Sequence, residues 1–178
     1  LMGILNSILD YSKIESGKIA VDPVVFRLDE TLSGIIALMR PSAEEKGLNL
    51  ELDMAPEIAA WFEGDAGKIR QILFNLVSNA IKFTPSGGVG ISAKLTEDSK
   101  LLITVSDSGI GMSESEQQRI FEEFTQGNDE TRKLFGGTGL GLTICKNLVD
   151  MMDGYLEVES DAGKGASFII TLPFKLAE

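Results

Sequence analysis

Histidine is absent from the 178-residue sequence, and cysteine occurs once. Ser-His-Asp and Cys-His catalysis are therefore excluded within this chain, and the side chains that build zinc and non-haem iron sites are missing. The single thiol, Cys145, cannot form an internal disulfide, which fits a reducing compartment. Its neighbours Leu142, Ile144 and Leu148 predict a buried structural thiol rather than a reactive one. Positive charge is scarce: 16 Lys and Arg stand against 27 Asp and Glu, a formal net charge of -11. No Lys/Arg-rich tract or basic-aromatic stripe of the sort nucleic-acid binders carry is visible. There is no apolar run near the roughly 20 residues a membrane span needs, and no charged-then-apolar signal segment. These absences predict a soluble, cytoplasmic unit with no nucleic-acid partner, either free or as the cytoplasmic part of a membrane-anchored receptor.

What is present can bury one sizeable core, since 43% of the residues are hydrophobic. Leu1, Leu5, Ile8, Ser12, Glu15 and Ile19 alternate spacings of four and three, so residues 1 to about 20 read as one long amphipathic helix. That helix has no partner helix in this chain, and its abrupt start is expected of an excerpt from a longer protein. After Asp22-Pro23, Val24 to Leu28 reads as a short strand, and Asp29 is expected to cap a helix running to about Glu45, ended by Gly47. Leu48, Leu50, Leu52 and Met54 alternate as a half-buried strand, and Gly64-Asp65 caps a helix over 66 to about 83. Strands are expected near 89–96 and over 101–106, joined by a tight turn at Glu97 to Lys100. A helix from about Gly139 to Met152 and strands 155–160 and 166–173 complete the pattern. The tight turn implies antiparallel pairing. The expected fold is an α/β (α+β) two-layer sandwich, a mixed, largely antiparallel sheet of about five strands on three main helices, with an N-terminal helix.

Four segments carry chemistry. On helix 66–83, Ile69, Ile72, Leu73, Leu76 and Ala80 form a core stripe, and Gln71, Asn75, Asn79 and Lys82 form a second one roughly a third of a turn away. Asparagine is a mediocre helix former, so two of them one turn apart call for a reason. The second stripe is either a solvated polar face or a ligand-holding rim, with Asn79 on Mg²⁺, Asn75 on phosphates or their waters, and Lys82 on phosphate as a point charge. Asp107-Ser108-Gly109-Ile110-Gly111 follows a strand, which by itself is a common strand-to-loop turn. Gly136-Gly137-Thr138-Gly139-Leu140-Gly141 opens an apolar-periodic helix, where backbone N–H groups face an anion and glycines let phosphate approach. It is neither a dinucleotide fingerprint nor a Walker A loop. Gly163-Lys164-Gly165-Ala166-Ser167 is the fourth segment. Between Met112 and Gly136 lies a long polar stretch whose one apolar cluster is Phe121 and Phe124; its Arg132 and Lys133 are either solvated charges or contacts to a terminal phosphate.

In order and spacing these segments resemble the ATP-binding domain of sensor histidine kinases, within the superfamily of gyrase, Hsp90 and MutL ATPases. The resemblance spans roughly residues 8–173. It implies that Asn75, Asn79 and Lys82 belong to the N box, that Asp107, Gly109 and Gly111 form the G1 box with Asp107 accepting a hydrogen bond from the adenine amino group, and that Gly137, Thr138, Gly139, Leu140 and Gly141 form the G2 box. Ser167 is expected to support Asp107 and a bridging water, and Phe121 and Phe124 to form the F box that docks the start of an ATP lid. Asn75 and Lys82 are the catalytic candidates, Asn79 the metal ligand, and ATP and Mg²⁺ the cofactors. Residues 1–20 resemble the end of the second dimerisation helix and 21–178 the catalytic domain. The implied partners are a histidine-bearing dimerisation helix of the same protein and a response regulator or receiver domain. The full-length protein is then expected to be a homodimer and this piece a monomer or weak dimer. Two other readings remain: a water-hydrolysing ATPase of the same fold, which in that superfamily carries a glutamate where Asn75 stands, and a non-catalytic nucleotide-responsive module.

Overall fold

The computed structural model describes residues 12, 13, 16, 20–121 and 141–177. The expected helix over 1–20 lies almost wholly outside the described residues, as do Phe124, Arg132, Lys133, Gly137, Thr138, Gly139 and Leu140. The described elements, in chain order, begin with β1 (Val24–Arg27), α1 (Leu28–Glu45), β2 (Asn49–Met54), β3 (Trp61–Gly64) and α2 (Ala66–Phe83). They continue with β4 (Gly88–Leu95), β5 (Leu101–Asp107), α3 (Glu114–Arg119), α4 (Gly141–Met151), β6 (Tyr155–Ser160), β7 (Ala166–Leu172) and β8 (Lys175–Leu176).

Strands β2-β4-β5-β7-β6 form a five-stranded sheet in that order. β2 runs parallel to β4 and every other pairing is antiparallel, so the expected mixed, largely antiparallel sheet is observed. The period of two gives each strand one buried face: Ala93, Ile103, Ile170 and Leu156 share one cross-strand row, and Leu52, Ile91, Val105, Phe168 and Val158 another. The three long helices pack there, with α2 in the middle against both α1 and α4. The apolar stripe of α2 is buried as predicted, joined by Val77 and Ile81.

Three features depart from the sequence reading. Asp29 does not cap α1: the helix begins two residues earlier than expected, at the fully buried Leu28, directly out of β1, with Arg27 in the cap position and no side-chain cap bond. Asp29 instead accepts from Arg27 Nε–H at 2.9 Å while its charge faces the helix N-terminus. The polar stretch after Met112 starts with a short helix, α3, closed by a capping box in which Ser113 and Glu116 exchange bonds. Finally, β1, β3 and β8 form a second, antiparallel three-stranded sheet, of which only β1 was expected. Phe26 and Phe62 pair on its inner side, and Phe174 meets Phe26 edge-on with ring centroids 6.3 Å apart.

Candidate functional site

The rim of α2 is built from its N-terminus. Asp65 caps the helix by accepting from the Lys68 N–H at 2.9 Å, and its other oxygen accepts from Lys68 Nζ at 2.7 Å. Burial alone would raise the Asp65 pKa, but the Asp22 N–H and the two Lys68 contacts outweigh it and hold the carboxyl below the usual range. With that end held and the apolar stripe packed, Gln71, Asn75, Asn79 and Lys82 line one half-buried edge.

That edge faces α4. Asn75 hydrogen-bonds Cys145, whose thiol donates to the Ile72 carbonyl at 3.7 Å. Burial pushes the Cys145 thiol up to about 12, so it is a buried structural thiol, as its apolar neighbours predicted. Asn79 meets the start of α4, where a Cβ added to Gly141 would lie 3.9 Å from Asn79 Nδ2. Burial lowers the Lys82 pKa, in the last turn of α2.

Asp107 ends β5 beside the last turn of α2. Its carboxylate accepts from the Gly109 N–H at 2.8 Å and is also bonded by the Ala166 backbone, with the Thr84 hydroxyl beside it. Burial is the largest influence and leaves its pKa above the ordinary value. Gly109 is where the turn touches α2: a Cβ there would lie 2.4 Å from the Phe83 carbonyl oxygen and 2.9 Å from Thr84 Oγ1. Gly111, at the far side of the turn, has φ 64°. Phe121 packs on the core, and its carbonyl accepts from Thr143 Oγ1 at 3.1 Å, which ties the end of the segment following the turn to the first residues of α4.

Ser167 is not where it was expected. It pairs with Ser106, whereas Ala166 pairs with Asp107, so the alternation of β7 turns the Ser167 side chain to the sheet face away from the Asp107 carboxylate. The hydroxyl beside Asp107 belongs to Thr84, which is fully buried and also bonds the Ala80 carbonyl at 2.6 Å. Its place directly after the polar stripe of α2 was the available signal. The structure thus brings Asn75, Asn79 and Gly141 together along one side of α2, and Asp107, Gly109 and Thr84 at its C-terminal end.

Over residues 64–176 the chain matches the family described as histidine kinase-, DNA gyrase B-, and HSP90-like ATPase, and it belongs to that family. It is 42% identical over 183 residues to the autoinducer 2 sensor kinase/phosphatase LuxQ of Vibrio vulnificus strain YJ016, covering 100% of this chain and 21% of that protein. It is 40% identical over 176 residues to the sensor histidine kinase GacS of Pseudomonas protegens, covering 97% and 19%. The chain therefore spans about a fifth of the length of these relatives. Among solved structures, full-length ShkA in complex with AMPPNP superposes with a TM-score of 0.88 at 32% identity, covering 98% of this chain and 36% of that one. The nucleotide-free catalytic domain of histidine kinase ThkA superposes at 0.73 and 27% identity, covering 85% and 95%.

Proposed function

We propose that this chain is the Mg·ATP-binding catalytic unit of a two-component sensor histidine kinase, which donates the γ-phosphate to a histidine on a dimerisation helix. The observation that carries this reading is the amide at Asn75, one turn before Asn79 on the α2 edge that faces the start of α4. A water-hydrolysing relative needs a general base there, and an amide cannot take a proton from water. ATP held beside Asn75 persists until an acceptor histidine arrives. The likeness to proteins named sensor kinases, and to a structure holding an ATP analogue, supports the same reading.

The residues fit the two cofactors. Among the described residues no group of three or more acidic or cysteine side chains is placed to hold a metal ion. A divalent ion at Asn79 would thus rest on one amide oxygen, phosphate oxygens and water, an all-oxygen set suited to Mg²⁺, which would screen phosphate charge. Asp107 is an acceptor for the adenine amino group, and guanine offers a carbonyl at the corresponding position. Lys82 is a candidate for phosphate, and Phe124, Arg132, Lys133 and the glycine run 137–141 keep the roles the resemblance gives them. The partners proposed are the histidine-bearing helix, a response regulator or receiver domain, and a second copy in the full-length dimer. No helix among the described residues is long and apolar enough to cross a membrane.

The test is incubation with γ-labelled ATP, alone and with the histidine-bearing hairpin supplied. Acid-labile label is expected on the hairpin only, because this chain contains no histidine. Asn79→Ala is expected to abolish transfer, and Asn75→Glu to raise hydrolysis. Acid-labile label on this chain alone, or no transfer to the hairpin, overturns the proposal.

A further inference from the structure

Met112, the residue after the Asp107 to Gly111 turn, has both backbone polar groups engaged by side chains from elsewhere. Its N–H donates to Ser160 Oγ at 2.8 Å, and its carbonyl accepts from Gln117 Nε2 at 3.2 Å. The Ser160 hydroxyl donates in turn to the Gly165 carbonyl at 2.7 Å, and Gln117 Nε2 also donates to the Ser160 carbonyl at 2.8 Å. Gly165 presses on the aspartate itself: it has φ 86°, and a Cβ there would lie 1.9 Å from the Asp107 carbonyl oxygen. A further bond, from the Gly163 N–H to the Ile110 carbonyl at 2.7 Å, closes the same two loops on each other.

Strand register makes this a connected arrangement. Leu50, Val89, Asp107, Ala166 and Ser160 occupy one cross-strand row, so Ser160 shares a sheet face with Asp107 and lies two strands away. The spacing is about 10 Å, with only the Ala166 methyl between them. Ser160 also spends its hydroxyl fully, accepting from the loop that follows Asp107 and donating to the loop that presses on it. No aliphatic side chain can do both.

We propose that Ser160, assisted by Gln117, is a positioning residue for base recognition, holding the turn that aims the Asp107 carboxylate at the adenine amino group. The inference rests on the assignment of Asp107 as the adenine acceptor. Loss of the hydroxyl leaves the Met112 N–H and the Gly165 carbonyl without their common partner, so the two loops flanking Asp107 keep the Gly163–Ile110 bond but lose the link nearest Met112. The cost falls on recognition of the base.

The test is a double-mutant cycle on ATP affinity, with wild type, Ser160→Ala, Asp107→Asn and the double variant, plus Ser160→Thr as rescue. Ser160→Ala is expected to weaken ATP about tenfold beside an intact Asp107 and by less than about twofold in the Asp107→Asn background, with threonine restoring most of the loss. Equal losses in both backgrounds, as a merely structural role would give, or no loss at all, overturn the proposal. Should Ser160→Ala not fold, Gln117→Leu takes its place in the same cycle, with the same outcomes. Failure of wild type to bind ATP would instead remove the nucleotide reading on which the inference rests.

Discussion

At the scale of single residues, Asp107 combines burial with backbone hydrogen bonds from Gly109 and Ala166, and the two pull its ionisation in opposite directions. Burial wins, so in the ligand-free chain the carboxyl takes a proton at a higher pH than an exposed aspartate does. The folded state holds more protons than the unfolded chain between the two pKa values, so keeping Asp107 ionised costs stability above that window. If Asp107 is the adenine acceptor proposed above, an amino donor favours its ionised form, so ATP binding is expected to lower this pKa and ATP affinity to fall as pH drops through the raised value. Titrations of ATP across mildly acidic pH are expected to show this fall in wild type and a flatter profile in Asp107→Asn. The same substitution is expected to weaken ATP by about 1–3 kcal/mol at neutral pH and to narrow the preference over GTP.

At the scale of elements, α2 is held at its N-terminus by charge. Asp65 and Lys68 form an ion pair with side chains 7% and 10% exposed, and Lys68 Nζ also donates to the Ala20 carbonyl at 2.6 Å while the Asp22 N–H donates to Asp65. The pair therefore fastens the segment leading into the domain to the helix that bears Asn75 and Asn79. Asp65→Ala leaves a buried ammonium without its counter-charge and is expected to cost about 3–5 kcal/mol in denaturant unfolding at neutral pH. Adding Lys68→Met is expected to recover much of that. Because the folded Asp65 pKa is depressed, its contribution is present above the unfolded pKa and lost as pH falls through the folded value.

At the scale of the whole molecule, the five-stranded sheet and its three long helices were legible in the sequence because their periods run over many residues. Helix α2 shows this best: an apolar stripe and a polar stripe coexist on it without ambiguity. What escaped depended on partners distant in sequence. β3 has 4 residues and β8 has 2, and each is a strand only through pairing that joins the chain's beginning, middle and end. Ser167 was misplaced because a shift of one position along a strand exchanges faces, and the motif alone does not say whether Ala166 or Ser167 looks inward. The start of α1 was misplaced by two residues because burial of Leu28 outweighed the capping preference of Asp29. The small sheet yields its own expectation. Phe174 packs over Gly64 and against Phe26, so Phe174→Ala is expected to lower unfolding free energy by about 3–5 kcal/mol, measured by denaturant titration, although it lies outside the nucleotide site.

The parallel pairing of β2 with β4 has a consequence for how the protein is made. These neighbours point the same way, so the chain between them must travel back across the layer, and α2 is part of that return path. Its orientation is set only when Asn49 to Met54 has found Gly88 to Ala93, and β4 in turn lies between β2 and β5. A chain emerging from the ribosome as far as Phe83 already carries Asn75, Asn79 and Lys82, yet lacks β4 and β5, the strands of the sheet on which α2 packs. Nucleotide capture during synthesis is therefore expected to begin only after β5, α4 and β7 have emerged, late in translation of this domain.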